Sequence, residues 1–396
     1  MAITIPVASP AGTTNAGLDT TGLLAVNADQ LQVDMYPDIF WVDRGQTPIC
    51  ALLGLKARSK PAIGIKPEWL EDADIPPNLT PSTSYTTATS IVLTTGQGAW
   101  VNVGDTLLEV QTGEYLNVTA VSTDTLTVVR QYLHGTTHNI ASTDNFLNLR
   151  QITPHGSTSP TALQTINSTV FNYCMIRRSE VQVTKTLDAV VTYGGNERQR
   201  QRVKKAQEHS IDWEHHMLHG QQGSVVTGNQ PVYASGGLDY YITTNALSVT
   251  GALTEAQWMD YMPQVFHRSI APGNGTKILF ASAEMINTIN SWGLSKLQVT
   301  EASNRASATY GIDIKEYVSG FGKLMVIYHP LLFAGYKGSF YIVDMDGLYM
   351  RPLRPTKLNT NIQANDADYF KDEYITEGSF QVANQICHGT GSGITF

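Results

Sequence analysis

Between Asn196 and Gly220 the chain reads NERQRQRVKKAQEHSIDWEHHMLHG, with no Pro or Gly before the last residue. No other stretch carries so long an uninterrupted helical signal. Asn196 is an N-cap by residue type, and Gly220 suits the position just past a helix end, where a left-handed backbone is needed. Val203, Ala206, Trp213 and Met217 recur at helical spacing, with Ser210 in register between them. About 24 residues at about 1.5 Å rise each make a rod of roughly 36 Å. The apolar stripe is narrow, and Arg198, Arg200, Arg202, Lys204, Lys205, Glu208, Asp212 and Glu214 cover the rest. Such a helix lays one face across a sheet and leaves the other to water or to another subunit. The β-like segments 173–184 and 338–350 are the candidates to be laid against it.

A chain of 396 residues can bury a large core, and more than one. Charged residues are 15% of the total, against about 25% in a typical soluble domain. Thr, Ser, Asn, Gln and Gly fill the gap, which suits a β-rich protein whose surfaces meet other protein. The net charge of −8 argues against a general nucleic-acid binder. No apolar run reaches the roughly 18 residues of a membrane span. No Lys or Arg precedes Arg44, so a secretory signal is not expected. Cys50, Cys174 and Cys387 lie far apart without a CxxC spacing and read as buried thiols in a reducing compartment.

Residues 1–38 are small, polar and nearly uncharged, and read as an arm ordered on a neighbour or as a tail. A turn at 45–48 leads into a short apolar helix or strand ending at Gly54. Residues 56–77 alternate like an edge ribbon between prolines. From Pro67 to Val129 there is no Lys or Arg, while Glu68, Glu71, Asp72, Asp74, Asp105, Glu109, Glu114 and Asp124 fall in the same span. A surface of one sign needs a basic partner or free solvent. Residues 85–150 show short alternating segments between turns and predict a small β-barrel or sandwich. After a linker at 151–169 and a strong strand, the long helix follows, then a loop or weak hairpin over 221–250. From 251 the pattern becomes α/β, with helices at 253–268 (Thr254 as N-cap) and 282–292. Strands are expected at 277–281, 311–317, 323–329, 338–350, 372–376 and 379–386. The coarse fold class is α+β.

Chemistry is sparse. His215 and His219 stand at i, i+4 on one helix face, the spacing two imidazoles need to share a zinc. The metalloprotease motif places Glu directly after the first His; here that position is His216, and no third ligand is indicated. A metal-dependent hydrolase using His215 and His219 is the enzymatic alternative. The alternative reading is that these histidines pack at an interface or cap the negative end of the helix. The basic run 198–205 lacks interleaved aromatics and reads as a solvated or protein-paired face. No phosphate loop, dinucleotide fingerprint, nucleophile elbow or kinase string occurs.

Several separate blocks, in order, resemble one family. They are GQTPICALLG (45–54), WLEDADIPP (69–77), the region from Gly194 to Gly220, KLQVTEASNRASATYGIDIKEYVSGFGKLMVIYHPLL (296–332) and TKLNTNIQANDADYFKDEYITEGSFQV (356–382). Together they look like the tailed-bacteriophage major head proteins, in the branch with a β-rich insertion. The resemblance implies a Hong Kong 97-like capsid fold with an N-terminal arm at 1–40. E-loop legs and flanks would fall at 41–84 and 151–185, and the inserted β domain at 85–150. The peripheral domain would comprise 186–239 and 335–396 with the spine helix at 196–219, and the axial domain 240–334. The implied function is a structural subunit assembling as hexamers and pentamers around double-stranded DNA. A minor head, decoration or tail structural protein is the non-enzymatic alternative.

The resemblance also sets expectations about contacts. No catalytic, cofactor or metal residue is implied. The acidic ribbon residues Glu68, Glu71, Asp72 and Asp74 are expected to meet basic residues of a neighbour, with Arg178, Arg198, Arg200 and Arg202 the first candidates. Portal, separate scaffold and cement proteins are implied partners, packaged DNA is touched weakly and nonspecifically, and no membrane is involved. No charged scaffolding segment is seen ahead of the fold, so scaffolding is expected to be separate or dispensable. The Lys–Asn cross-link of some members matches no residues here, so association is expected to be non-covalent. Assembly is expected in the host bacterial cytoplasm, with the virion shell as the final location.

Overall fold

The computed structural model describes residues 47–72, 75–76, 78–133, 136–153, 155–159, 162–165, 167–192, 195–270, 275–296 and 315–395, without the side chains of 294–296. The expected arm at 1–40, Asp74 and the start of the strand expected at 311–317 lie outside the described residues.

The long helix spans Glu197–His219, and the Asn196 side chain accepts from Gln199 N at 2.9 Å, as its residue type predicts. Its far end differs from expectation. Gly220 is extended (φ −61°, ψ 138°), not left-handed. Glycine is required there by proximity: a Cβ would stand 2.5 Å from both His216 O and Ser235 O. Gly237 fits against the same helix end, its N–H donating to Gly220 O at 2.8 Å.

The helix crosses a three-stranded antiparallel sheet with Tyr369–Val382 at its centre, between Leu348–Asn359 and Met175–Thr184. The segment 173–184 therefore supplies its strand as expected. From 338–350, Phe340–Val343 goes elsewhere, because its four residues are all buried and belong in a two-faced sheet. Val203, expected on the buried stripe, is 47% exposed. The buried face of the helix's first half is polar instead, and only Trp213, Met217 and Leu218 nearer the end are apolar and buried.

Phe340–Val343 lies in a six-stranded mixed sheet in the order Ala246–Gly251, Gly389–Ile394, Phe340–Val343, Thr276–Ala281, Lys323–Tyr328, Glu316–Val318. Phe340–Val343 and residues 278–281 at its centre are apolar at every position because each face meets a different core. Ile278, Phe280, Tyr341 and Val343 face a core shared with Ile49, Leu53, Met217, Leu218, Leu348 and Phe380. Leu279, Ala281, Phe340 and Ile342 face a core built with Trp258, Tyr261, Met262, Met285 and Ile289. Those last residues lie on helices Glu255–Phe266, which Thr254 and Gln257 start with a capping box, and Ala283–Lys296. Residues 335–396 are thus divided: 348–382 complete the sheet under the long helix, while 340–343 and 389–394 complete the six-stranded sheet.

Two ribbons leave this body. Glu68–Glu71 pairs antiparallel with Ser168–Phe171. Gly223–Thr227 pairs with Gln230–Ala234 around Gly228 and Asn229, both at positive φ (55° and 61°), a tight-turn geometry suited to hairpins. Between the strands of the first ribbon sits a separate unit with its own core, including Leu79, Ile91, Leu107, Leu116, Leu126, Ile140 and Phe146. Its five antiparallel strands run in the order Ser90–Val92, Thr125–Val129, Tyr115–Ser122, Asp105–Glu109, Phe146–Gln151. Leu79 bridges Phe146 and Pro81 bridges Leu93, so segment 79–81 joins the two edge strands and closes a small barrel. The closing segment precedes residue 85, so the core reaches back to Leu79.

Candidate assembly interface

The polar face of the long helix is fastened to the sheet beneath it. Asp372, with its side chain 1% exposed, accepts from Arg198 Nε (2.8 Å) and Nη2 (2.7 Å), Arg202 Nε (2.9 Å) and Asn361 N (3.0 Å). Burial opposes its ionisation, but these donors outweigh burial and hold its carboxyl far below the usual range. Arg198 also covers the Phe370 ring at 4.3 Å. About two turns beyond Arg202, buried His209 bridges two strands, with Nδ1 against Ser179 Oγ (2.9 Å) and Nε2 against Thr376 Oγ1 (2.8 Å). Arg177 pairs with Asp212 at 3.0 Å.

Of the four arginines expected to reach a neighbour, each has a carboxylate in its own chain. Arg198 and Arg202 hold Asp372, Arg200 holds Glu197 (2.8 Å from Nε), and Arg178 forks onto Glu373 (2.8 Å from Nη2). Arg178 keeps its side chain 65% exposed, so its outer side stays open to other contacts. On the acidic side, Glu68 pairs with Lys66 at 2.7 Å. Glu71 accepts from Trp69 Nε1 (2.7 Å) and Asn384 N (2.8 Å), pinning the ribbon's base to the body. Asp72 is exposed. Among the described residues, none of these ribbon carboxylates pairs with one of these four arginines within the subunit.

The acid-only span is not a surface of one sign. Asp105, Glu109 and Glu114 are at most 3% exposed. Glu109 accepts from Gln111 N (2.8 Å), Thr112 N (2.6 Å) and Thr112 Oγ1. Asp124 accepts from Gly96 N and Gly98 N, both at 2.9 Å. Glu114 takes both arms of Arg130 (2.7 and 2.6 Å) and His138 N (3.0 Å). These carboxylates hold turns together because a tight turn leaves N–H groups that no strand can satisfy. A count of sequence charges cannot show this; the Asp and Glu positions beside Gly and Thr turns are the signal that could.

His215 and His219 do not form a metal site with a third ligand; no group of three ligating residues occurs among the described residues. His219 Nδ1 contacts Asp239 Oδ2 at 2.6 Å and stacks on Tyr336, with ring centroids 4.0 Å apart. Sequence reasoning missed Glu214, fully buried one turn earlier. It accepts from Ile49 N (2.6 Å) and Cys50 N (2.9 Å) at the start of helix Pro48–Leu55, and from His329 Nε2 (3.0 Å). Leu331 N donates to His329 Nδ1 at 3.3 Å, which places the ring hydrogen on Nε2. Three segments distant in sequence thus meet on one carboxylate.

This arrangement is a packed body whose buried carboxylates Asp372 and Glu214 are hydrogen-bonded, with two projecting ribbons and a barrel carried on one of them, which suits a structural subunit. A family model described as SU10 major capsid protein matches residues 12–395, and the chain belongs to that family. It is a structural, non-enzymatic subunit of a phage head. Among solved structures, the capsid of the native GTA particle matches at 7% identity, covering 94% of this chain and 99% of that one, with a TM-score of 0.51. Chains from Gordonia phage Cozz (9% identity, 98% and 99% covered, TM-score 0.49) and Mycobacterium phage Ogopogo (10%, 95% and 99%, 0.48) are also similar. No curated protein matches. The fold is the Hong Kong 97-like capsid fold.

Proposed function

We propose that this major capsid protein assembles as hexamers and pentamers into an icosahedral shell around double-stranded DNA, in the host bacterial cytoplasm. The observation that carries the reading is the family match over residues 12–395. In the finer division, 41–84 and 151–185 act as E-loop legs and flanks, and 85–150 as a domain projecting from them. The parts 186–239 and 348–382 act as the peripheral domain and 240–334 as the axial domain, whose six-stranded sheet 340–343 and 389–394 complete, with 1–40 as an arm. Pairing of Glu68–Glu71 with Ser168–Phe171, anchored through Glu71, supports an E-loop held at a fixed angle.

Neighbouring subunits are held in part by ribbon carboxylates, Glu68, Asp72 and Asp74 foremost, against basic side chains of the next copy. Arg178 is the best placed of the four arginines, since Arg198 and Arg202 are 15% and 22% exposed. Portal, scaffold and cement proteins complete the particle, and DNA is contacted weakly, as the net charge of −8 suggests. Electron microscopy of the protein expressed alone and with its phage's other head proteins tests the reading. Closed shells or capsomers are expected; dispersed monomers under both conditions would contradict it.

A further inference from the structure

The two ends of the three-stranded sheet carry opposite chemistry. At one end, segment 58–62 runs beside the start of Leu348–Asn359, with Lys60 N donating to Met350 O (2.9 Å) and Ala62 N to Pro352 O (2.8 Å). That pairing fixes an exposed basic stretch. Lys60 Nζ rests 4.2 Å from the Tyr349 ring centroid, and Lys56 makes no ion pair among the described residues. Ile63 beside them is 101% exposed.

At the other end, the chain turns through 360–368 against helix Lys185–Ala189, where Lys185 Nζ donates to Ala367 O at 3.0 Å. Asp188 and Asp366 are exposed there, and Asp366 makes no ion pair among the described residues. Val191 is 97% exposed. Ile63 and Val191 are the two most exposed large apolar side chains among the described residues. Met350 and Asn359 stand about 30 Å apart at about 3.3 Å per strand residue, so the two ends cannot meet within one subunit.

We propose that these ends are the two halves of one head-to-tail contact between copies of the chain. Ile63 of one copy packs on Val191 of the next, and Lys56 and Lys60 face Asp188 and Asp366. The proposal rests on the reading that the chain assembles with itself. Charge complementarity selects a second copy as the occupant, because Lys56 and Lys60 face outward at one end while exposed Asp188, Asp366 and Asp368 outnumber Lys185 at the other. An apolar centre with a charged rim is the usual anatomy of a protein interface. A contact between different patches repeats from copy to copy and closes into a ring when the rotation allows. Arg198 and Arg202 are committed to Asp372, and although Arg198 also attracts Asp188 electrostatically, neither arginine reaches Asp366.

The test compares wild type with Lys60→Glu, Asp366→Lys, the double variant and Val191→Ser. Assembly is followed by sedimentation and electron microscopy, and thermal unfolding of the unassembled subunit checks the fold. Each single charge reversal is expected to raise the concentration for half-maximal assembly on the order of ten-fold, and the double variant to recover most of that loss. Val191→Ser is expected to weaken assembly whatever the salt concentration. Single variants that assemble like wild type, or a double variant no better than either single, would overturn the contact while leaving the shell reading intact. A wild-type protein that never assembles would overturn both.

Discussion

Replacing Glu214 by Gln removes the charge at the junction of three segments while keeping the side chain's shape. The carboxylate's two oxygens serve three donors: Ile49 N, Cys50 N and His329 Nε2. Gln offers one carbonyl oxygen, and its NH2 group must face a donor it cannot satisfy. Loss of a hydrogen bond to a charged group costs about 1.5–3 kcal/mol, and an unsatisfied buried donor about 1–3 kcal/mol. With Glu214 and His329 both fully buried, the sum is about 3–5 kcal/mol, as for removal of one partner of a buried pair. The favourable placement of a negative charge at the start of helix Pro48–Leu55 is lost as well. Urea unfolding of the unassembled subunit measures the loss, with the fluorescence of Trp213, 4% exposed beside the site, as the probe. Asp212→Asn is the control: its half-exposed pair with Arg177 should contribute only about 0–1 kcal/mol. In a double-mutant cycle, Glu214→Gln and His329→Ala should couple by at least about 1 kcal/mol. A loss below about 1 kcal/mol for Glu214→Gln, or additivity in the cycle, would refute the reasoning.

Burial, chiefly, moves the His388 pKa down to about 4. Folding therefore favours its neutral form, and stability present above about pH 6.5 is lost as pH falls toward 4. His209, His215 and His216 are shifted down by burial too, so they add slope of the same sign, and His388→Gln should flatten the pH dependence of the unfolding midpoint over this window. Asp372 has a depressed folded pKa, so its contribution is complete above about pH 4 and disappears as pH falls through the folded value. Asp372→Asn should lower stability at pH 7 by about 2–3 kcal/mol and remove that acid-range loss, read by denaturant titration at pH 7 and pH 3. Gly237→Ala places a Cβ 2.5 Å from His216 O and 2.7 Å from Met217 O, and should destabilise by about 1–3 kcal/mol in thermal unfolding.

Much of the architecture was legible because it rests on local rules. The long helix follows from Asn196, an unbroken run and Gly220, and the barrel from short alternating strands between turns. The resemblance of the C-terminal blocks supplied what periodicity could not. What stayed hidden was partner choice over long sequence distances. Val203 looked like core, yet it points out while Arg198, Arg202 and His209 point in, because the sheet beneath offers Asp372, Ser179 and Thr376. The acids of 105–124 looked like surface charge because sequence does not show which N–H groups a turn leaves unpaired. Glu214 resembled any other charge on the helix; its role depends on Ile49, 165 residues away. The division of 335–396 between two sheets was likewise invisible, since strands of both sheets alternate in one continuous β-rich tail.

The central claim is that this chain is a self-assembling shell subunit whose body is preformed and whose contacts are made by its projecting parts. Cryo-electron microscopy of particles from the expressed protein tests it most directly. The account predicts closed shells in which the helix Glu197–His219 still lies on the three-stranded sheet, Glu214 still holds the start of Pro48–Leu55, and new contacts fall on the ribbons and sheet ends. Particles built through a rearranged helix–sheet body, or protein that stays monomeric at every concentration and salt tried, would contradict it.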